Sequence, residues 1–163
     1  MLPALLSFIF LPGQLTQPPA VIRGGDYEIT VPYGWKALEV SYGFARLEHS
    51  AGASLQISRP RPSEDFDSFV RRAAERLANP LGFAKIGEPR HFRDSKQEWV
   101  EYDVRGNRLS EPRRILYRAI RNATGLTEIV YENSEDRFDI LVSEALSIAS
   151  SLKSVPRKIR VRQ

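Results

Sequence analysis

Two histidines, His49 and His91, are the side chains best suited to acid–base or metal chemistry in this sequence. Nucleophilic catalysis needs such a base beside a hydroxyl or thiol, with a third group that orients the base. His49 falls in a predicted hairpin loop and His91 at the end of a predicted strand, and neither lies in a catalytic motif. We therefore predict that both are solvent-exposed or locally hydrogen-bonded histidines.

A pair of carboxylates could also perform acid–base work without histidine. Glu101 and Asp103 share one face of a predicted strand with Trp99, and Arg105 follows on the same face. The next predicted strand carries four arginines: Arg113, Arg114, Arg118 and Arg121. Cross-strand charge pairing explains this pattern without an active site, so we predict no catalytic residue here and no enzyme activity.

Cofactor and metal sites have no sequence support. The chain has no cysteine, no helical His-Glu-x-x-His and no calcium-binding loop. Gly24 and Gly25 precede a strand and do not open a helix, so they form no phosphate cradle. A tyrosine surface that stacks on nucleic acid is the remaining alternative, but Tyr102, Tyr117 and Tyr131 sit among apolar neighbours and are predicted to lie in the core.

The net charge of +4 is concentrated in the last eight residues. Residues 156–163 contain four bases and no acid: Arg157, Lys158, Arg160 and Arg162. Without them, 20 of the 24 basic residues remain, which equals the 20 acids, so the folded part is predicted to be nearly neutral. The sequence therefore gives no sign of a nucleic-acid-binding face, and the tail is predicted to be solvated or to make a weak contact with an anionic surface.

The first residues form the most apolar stretch of the chain, Leu2 to Leu11. This run is about half of the roughly 20 residues that a membrane-spanning helix needs, but it suits the apolar region of a secretory signal. We therefore predict a signal peptide over residues 1–20 and an exported protein, periplasmic or extracellular. The alternative is an N-terminal segment that packs onto the domain of a cytoplasmic protein.

Between these ends, the apolar pattern predicts three short strands, a helix, four strands and a second helix. Alternation predicts strands over residues 27–31, 44–48 and 54–58. A stripe from Phe66 to Leu77 predicts a helix capped by Ser63 or Asp65.

The later strands are predicted over residues 85–92, 98–105, 113–121 and 127–132. The third of these is apolar on both faces, so it needs cover above and below. A second stripe from Phe138 to Leu152 predicts the closing helix, capped by Asn133 or Ser134. This order predicts one α+β domain over residues 26–155, with a central antiparallel β-sheet sandwiched between helices.

The opening strand ends in Val31-Pro32-Tyr33-Gly34-Trp35, which resembles the Pro-x-Gly-Trp signature of the PsbP/Mog1-like family. The following strand segments, Phe44–Leu47 and Ala53–Ser58, and the closing helix are similar to that family's order of elements. The resemblance covers about residues 26–155 and implies a sheet between helices and a non-enzymatic role. Relatives in photosynthetic membranes are exported proteins that stabilise a photosystem, and Mog1-type relatives bind a small GTPase.

Two functions are favoured from the sequence, and a third, an enzyme built on Glu101 and Asp103, requires those side chains to share an open cleft with no arginine within salt-bridge reach. The first is an exported accessory domain that acts by protein contact, which requires an exposed apolar or aromatic patch with a polar rim. The second is a small-molecule or lipid-binding module, which requires an apolar pocket between sheet and helix.

Overall fold

The computed structural model describes residues 18–24, 27–62 and 64–155. The predicted signal segment up to residue 17, the alternative cap Ser63 and the basic tail lie outside the described residues. The elements, in chain order, are β1 (Ala20–Gly24), β2 (Tyr27–Val31), β3 (Trp35–Ser41), β4 (Phe44–His49), β5 (Ser54–Ser58), α1 (Phe66–Ala78), β6 (Gly82–Ile86), β7 (Arg90–Arg93), β8 (Gln97–Arg108), β9 (Glu111–Asn122), β10 (Gly125–Ser134), α2 (Phe138–Ser151) and β11 (Lys153–Ser154).

Eight strands form the central sheet, in the order β3-β4-β5-β10-β9-β8-β6, with β7 also paired to β8. Every pair in it is antiparallel. The remaining strands form a small sheet in the order β1-β2-β11. The small sheet packs over β3, because β1 and β2 both contact that strand.

The Pro-x-Gly-Trp turn joins β2 to β3. The Trp35 N–H donates to the Pro32 carbonyl at 3.3 Å, and Gly34 adopts the left-handed φ of 89° that this turn requires. Trp35 is buried, and its indole Nε1 donates to Glu144 Oε2 at 2.7 Å. The strand that Trp35 begins, β3, was not predicted, and neither was β1.

Helix α1 begins as the sequence predicted. The Asp65 carboxylate caps it by accepting a hydrogen bond from the Ser68 N–H at 2.9 Å. The apolar stripe that starts at Phe66 is buried against the central sheet. Asn79 lies at its C-terminal cap, two residues after the predicted stripe ends at Leu77.

The caps predicted for α2 are wrong. Asn133 and Ser134 end β10, and the helix begins four residues after Ser134, at Phe138. The Asn133 amide instead donates to the Arg137 carbonyl at 3.2 Å, so this buried side chain fixes the turn into the helix. Lys153, which follows the helix, lies in β11 and pairs with Glu28 at 2.8 Å.

The strand predicted over residues 85–92 is also wrong, because the structure has two short strands there, β6 and β7. Gly87 and Pro89 separate them, and proline cannot donate to a strand ladder. The other three predicted strands of this half are confirmed, each one to three residues longer at its ends.

The two helices lie on opposite faces of the central sheet and are offset along it. The α1 core is formed by α1 with β8, β9 and β10, and includes Phe69, Val70, Val100, Tyr102, Ile115 and Tyr117. The α2 core is formed by α2, the small sheet and β3, β4, β5 and β10, and includes Ile29, Leu47, Leu55, Leu116, Tyr131 and Ile148. Adjacent residues Ile115 and Leu116 of β9 enter different cores, which confirms that this strand is covered on both faces.

The predicted α+β fold, with an antiparallel sheet between helices, is confirmed. All three tyrosines considered as a stacking surface are buried in these cores. Within the described ranges, neither helix is long and apolar enough to cross a membrane.

Candidate interaction surface

The offset of the helices leaves one side of β7, β8 and β9 without a helix over most of its length. We call this side the open face, and it is the side of the sheet that carries Glu101 and Asp103. The residues that form it are Arg90, Phe92, Trp99, Glu101, Asp103, Arg105, Arg114, Arg118 and Ile120. Their neighbours in sequence on β8, Val100, Tyr102 and Val104, point into the α1 core.

Glu101 is held between two arginines from the neighbouring strands. Arg90 Nη2 on β7 donates to Glu101 Oε2 at 2.8 Å, and Arg118 Nε on β9 donates to Glu101 Oε1 at 2.7 Å. The Glu101 side chain is only 6% exposed, whereas that of Arg90 is 59% exposed. The carboxylate therefore lies beneath the guanidinium groups, and the surface presents arginine.

Asp103, two residues further along β8, is likewise held by two arginines. Arg114 donates to Asp103 Oδ2 through Nε at 2.9 Å and Nη2 at 2.6 Å, and Arg105 Nε donates to Oδ1 at 3.1 Å. Burial by itself would raise the pKa of Asp103, but the hydrogen bonds from Arg114 and Arg105 outweigh it and lower the pKa.

These contacts confirm the predicted charge pairing across the strands. An acid–base site at Glu101 and Asp103 requires carboxylates that are open and out of reach of arginine, and neither condition is met. A carboxylate that stays ionised because arginines hold it is a poor proton donor near neutral pH.

A stacked aromatic pair borders this ion-pair network. Phe92 of β7 lies opposite Trp99 of β8, with ring centroids 5.1 Å apart and an interplanar angle of 11°. Ile120 on β9 is opposite Trp99 on the other side. Phe92 is exposed and Trp99 is half-buried, so the pair forms an accessible apolar patch with arginines beside it.

Sequence reasoning did not bring Phe92 and Trp99 together, although a signal was present. Asp94-Ser95-Lys96 has the composition of a turn, and Asp94 Oδ1 accepts from the N–H groups of Lys96 and Gln97 at 2.7 and 2.9 Å. Because the turn is tight, the hairpin register follows from it: Arg93 pairs with Glu98 and Phe92 with Trp99.

The histidines behave as predicted in the described structure. His49 Nδ1 accepts from the Ala51 N–H at 3.0 Å, and its ring packs edge-on against Trp35. His91 is exposed on the other side of the sheet, where it lines a groove of about 270 Å³ with Asp67 and Ser68. No hydrogen bond or ion pair of His91 is present among the residues that the structure describes.

Two further grooves bear on the ligand-binding alternative. One, of about 660 Å³, lies at the junction of the two sheets and is lined by Ala20, Ile22, Pro32, Tyr33 and Trp35, among others. The other, of about 520 Å³, lies between the small sheet and α2, where three serines of the helix line it: Ser143, Ser147 and Ser151. The second has the predicted position between sheet and helix, but hydroxyl groups form much of its wall.

A metal centre has no support in the described ranges, where no group of three or more histidine and acidic side chains is placed to hold an ion. The four tail residues proposed to contact an anionic surface, Arg157, Lys158, Arg160 and Arg162, lie outside the described residues.

Several solved structures resemble the chain. The solution structure of the PsbP protein (CyanoP) from the cyanobacterium Synechocystis aligns with a TM-score of 0.54 and 18% identity, over 79% of this chain and 86% of that chain. PA94 of Pseudomonas aeruginosa, of unknown function, aligns with a TM-score of 0.51 and 16% identity, over 86% of this chain and 99% of that chain.

LpqN of Mycobacterium tuberculosis, involved in cell envelope biogenesis, aligns with a TM-score of 0.53 and 11% identity, over 86% of this chain and 87% of that chain. No protein-family model matches the sequence, and no curated protein matches it significantly. These likenesses confirm the PsbP/Mog1-like fold that the Pro-x-Gly-Trp turn predicted, and they establish the fold alone.

Proposed function

We propose that the chain is a non-enzymatic, exported accessory domain that acts by contact with another protein through the open face. The stacked pair Phe92 and Trp99, framed by arginines, is the observation that carries this proposal. Tryptophan and arginine are enriched at the energetic centres of protein interfaces. The buried carboxylates under the arginines hold their guanidinium groups in place, so little side-chain entropy is lost when a partner binds.

Export is proposed on two grounds. The apolar run Leu2–Leu11 has the length of a signal-peptide core. LpqN, which shares the fold, takes part in cell envelope biogenesis. Sequencing the mature N-terminus of material from the native source tests the compartment: a start near residue 20 supports export, and intact Met1 in the cytosol contradicts it.

The contact itself is tested with two surface variants. Phe92→Ser removes an exposed half of the aromatic pair, and Arg90→Glu reverses the most exposed charge beside it. The matched control is Arg46→Glu, which changes an exposed arginine of β4 away from the open face. Each protein is used to capture partners from the native source, after circular dichroism has confirmed that it is folded.

A partner retained by the parent and by Arg46→Glu, but reduced at least tenfold with both open-face variants, supports the proposal. Loss of about 1.4 kcal/mol of binding free energy gives that factor, which is typical of one central interface residue. Equal capture by all four proteins would show that the open face does not bind the partner.

The second candidate function is a small-molecule or lipid-binding module. The 660 Å³ groove at the junction of the sheets favours it, because its volume falls in the range of ligand sites and Tyr33 and Ile22 give it an apolar wall. The groove is open to solvent along its length, whereas such sites usually enclose most of the ligand.

The basic tail is proposed as a secondary contact with an anionic polymer or surface. The last described strand before the tail is β11, where Ser154 pairs with Tyr27. Only four charges are involved, so salt screening at physiological ionic strength weakens this contact.

A further inference from the structure

The central sheet ends at an edge that has room for one more strand. Strands β6 and β7 follow one another along one side of β8, and β9 pairs with its other side. No further strand pairs with β7 among the described residues. The opposite edge of the sheet, β3, is covered because β1 and β2 pack over it. Strand β7 is therefore where another chain can join the sheet.

The outward side of β7 carries the backbone groups of alternate residues. The Asp94 N–H donates to the Gln97 carbonyl at 2.9 Å, so these two residues form a hydrogen-bonded pair of the hairpin. Such pairs alternate with non-bonded pairs in an antiparallel ladder, so the N–H and C=O groups of Phe92 point at β8. Those of His91 and Arg93 point away from β8, toward the position of an added strand.

The side chains of β7 are all exposed, and they alternate between the two faces of the sheet. Arg90 and Phe92 belong to the open face, whereas His91 and Arg93 lie on the side of the sheet that carries α1. An extended chain beside β7 alternates in the same way. Every second residue of that chain meets Phe92 or Arg90, and the others meet His91 or Arg93.

Charge decides which kind of chain fits this edge. Strand β7 contains Arg90 and Arg93 and no acid. Arg93 makes no ion pair within the described ranges, and Glu98, its ladder partner, is paired with an arginine of β9. The acids in the flanking sequence lie outside the strand: Glu88 precedes it, and Asp94 accepts from two N–H groups of the turn. The edge therefore presents positive charge that the domain does not neutralise.

The groove on the α1 side of β7 offers further donors to a carboxylate. It has a volume of about 270 Å³, and Arg71, His91 and Tyr102 line it. Tyr102 is only 9% exposed, yet its hydroxyl makes no hydrogen bond in the part of the chain that the structure describes. Arg71 has no ion pair there either, and Asp67, which also lines the groove, is exposed. An acidic side chain that enters beside His91 finds both donors available.

We propose that an extended, acidic segment of the partner protein joins the sheet as a strand beside β7. This inference rests on the proposed function, since Arg90 and Phe92 belong both to the open face and to β7. Acidic residues of the segment lie opposite His91 and Arg93, and the apolar residue between them packs on Phe92. Backbone hydrogen bonds supply affinity in this mode of binding, and alternate side chains supply specificity.

Two other occupants fit the edge less well. A second copy of this chain would bring two basic strands together, and charges on an edge strand are a common means of preventing such self-pairing. A nucleic acid matches the positive charge, but it lacks the alternating N–H and C=O groups that an edge strand pairs with. An acidic peptide satisfies both requirements.

The probe is the acetylated peptide Glu-Val-Glu-Val-Glu-Val, mixed with the isotope-labelled full chain and followed by amide hydrogen exchange. At about 1 mM peptide and a Kd of about 0.1 mM, the amides of His91 and Arg93 are expected to exchange about tenfold more slowly than in the free protein. The Phe92 amide, already bonded to β8, is expected to change little. Absence of protection at His91 and Arg93 overturns the proposal.

Two modified peptides separate strand pairing from attraction between charges. N-methylation of the glutamates keeps the charge but removes the N–H groups that face β7, so this peptide is expected to give no protection. N-methylation of the valines, whose N–H groups face solvent, is the matched control and should preserve it. Equal protection by both modified peptides would mean that charge alone attracts the probe, as it would attract any polyanion.

A pair of variants tests the same contact from the protein side. His91→Pro removes an outward N–H and leaves the β8 ladder intact, because proline is tolerated where the N–H of an edge strand faces solvent. His91→Ala loses the same side chain and keeps the N–H. In fluorescence anisotropy with labelled peptide, Kd is expected to be about tenfold higher for His91→Pro than for His91→Ala. Equal values contradict strand addition.

This outcome is distinguishable from failure of the proposed function. A partner that is lost with Phe92→Ser and Arg90→Glu but retained by His91→Pro binds the open face without adding a strand, which overturns only the inference. Capture that is unaffected by Phe92→Ser and Arg90→Glu contradicts the proposed function itself. Circular dichroism confirms that each variant is folded before it is used.

Discussion

Asp103 shows how single residues on the open face keep their charge in a partly buried place. Its carboxylate accepts four hydrogen bonds from Arg105 and Arg114, and Arg114 also lies over the Phe138 ring at 4.2 Å. The side chain is therefore an anchor between β8, β9 and the start of α2. Sequence analysis predicted the pairing of charges, because residues two apart on a strand share a face.

The pH dependence of stability follows from Asp103. Its pKa is lowered in the folded protein, so its stabilising contribution is fully present above the unfolded value of about 3.9 and is lost as pH falls through the lower folded value. Asp103→Asn is expected to cost about 1–2 kcal/mol at pH 7. Urea unfolding at several pH values should show this difference shrink below about pH 4.

Asp65→Asn provides a comparison in that experiment. The Ser68 hydrogen bonds lower the pKa of Asp65, so its contribution is also lost at low pH, but asparagine caps helices well and the cost of this substitution at pH 7 should be smaller than that of Asp103→Asn. A constant cost of Asp103→Asn from pH 7 to pH 3 would show that the arginines do not hold the carboxylate ionised.

At the level of elements, the sequence predicted those strands and helices whose apolar pattern is regular. Strand β3 was not predicted because a bulge between Ala37 and Glu39 breaks its alternation of apolar and polar residues. The predicted cap of α2 was wrong because Asn133 lies at the end of β10, and its side chain stabilises the turn between that strand and the helix. The contact between Phe92 and Trp99 on the open face depends on the register of β7 and β8. Composition alone does not determine that register, so the pair was not predicted.

The junction of β6 and β8 depends on Gly106. A Cβ atom there would lie 2.7 Å from Leu81 Cβ and 3.0 Å from the Gly82 carbonyl oxygen. Gly106→Ala is therefore expected to destabilise the domain by about 1–3 kcal/mol, since backbone must move to admit the methyl group.

The matched control is Gly82→Ala in the partner strand, where the nearest atom to an added Cβ is 3.7 Å away. Thermal unfolding followed by circular dichroism compares the two. An equal effect of both substitutions would mean that the close approach at Gly106 does not constrain this edge.

For the whole molecule, the central sheet divides the apolar interior into two parts that share strands but not helices. Val70 of α1 and Ile148 of α2 are both almost fully buried, on opposite faces of the sheet. Val70→Ala is expected to cost about 2 kcal/mol and Ile148→Val about 1 kcal/mol. The double variant should show their sum within about 0.5 kcal/mol in denaturant unfolding.

A pair within one core supplies the comparison. Phe69 and Val70 of α1 belong to the same core, so Phe69→Leu with Val70→Ala should deviate from additivity. A coupling above about 1 kcal/mol between Val70 and Ile148 would show that the sheet transmits packing changes from one core to the other.

The division of the interior has an evolutionary consequence. A lineage can repack one side of the sheet without matching changes on the other, because each helix selects its own complementary residues. Only strands such as β9, with Ile115 on one side and Leu116 on the other, must satisfy both at once. Such independent repacking allows sequences that are only 11–18% identical to share this fold.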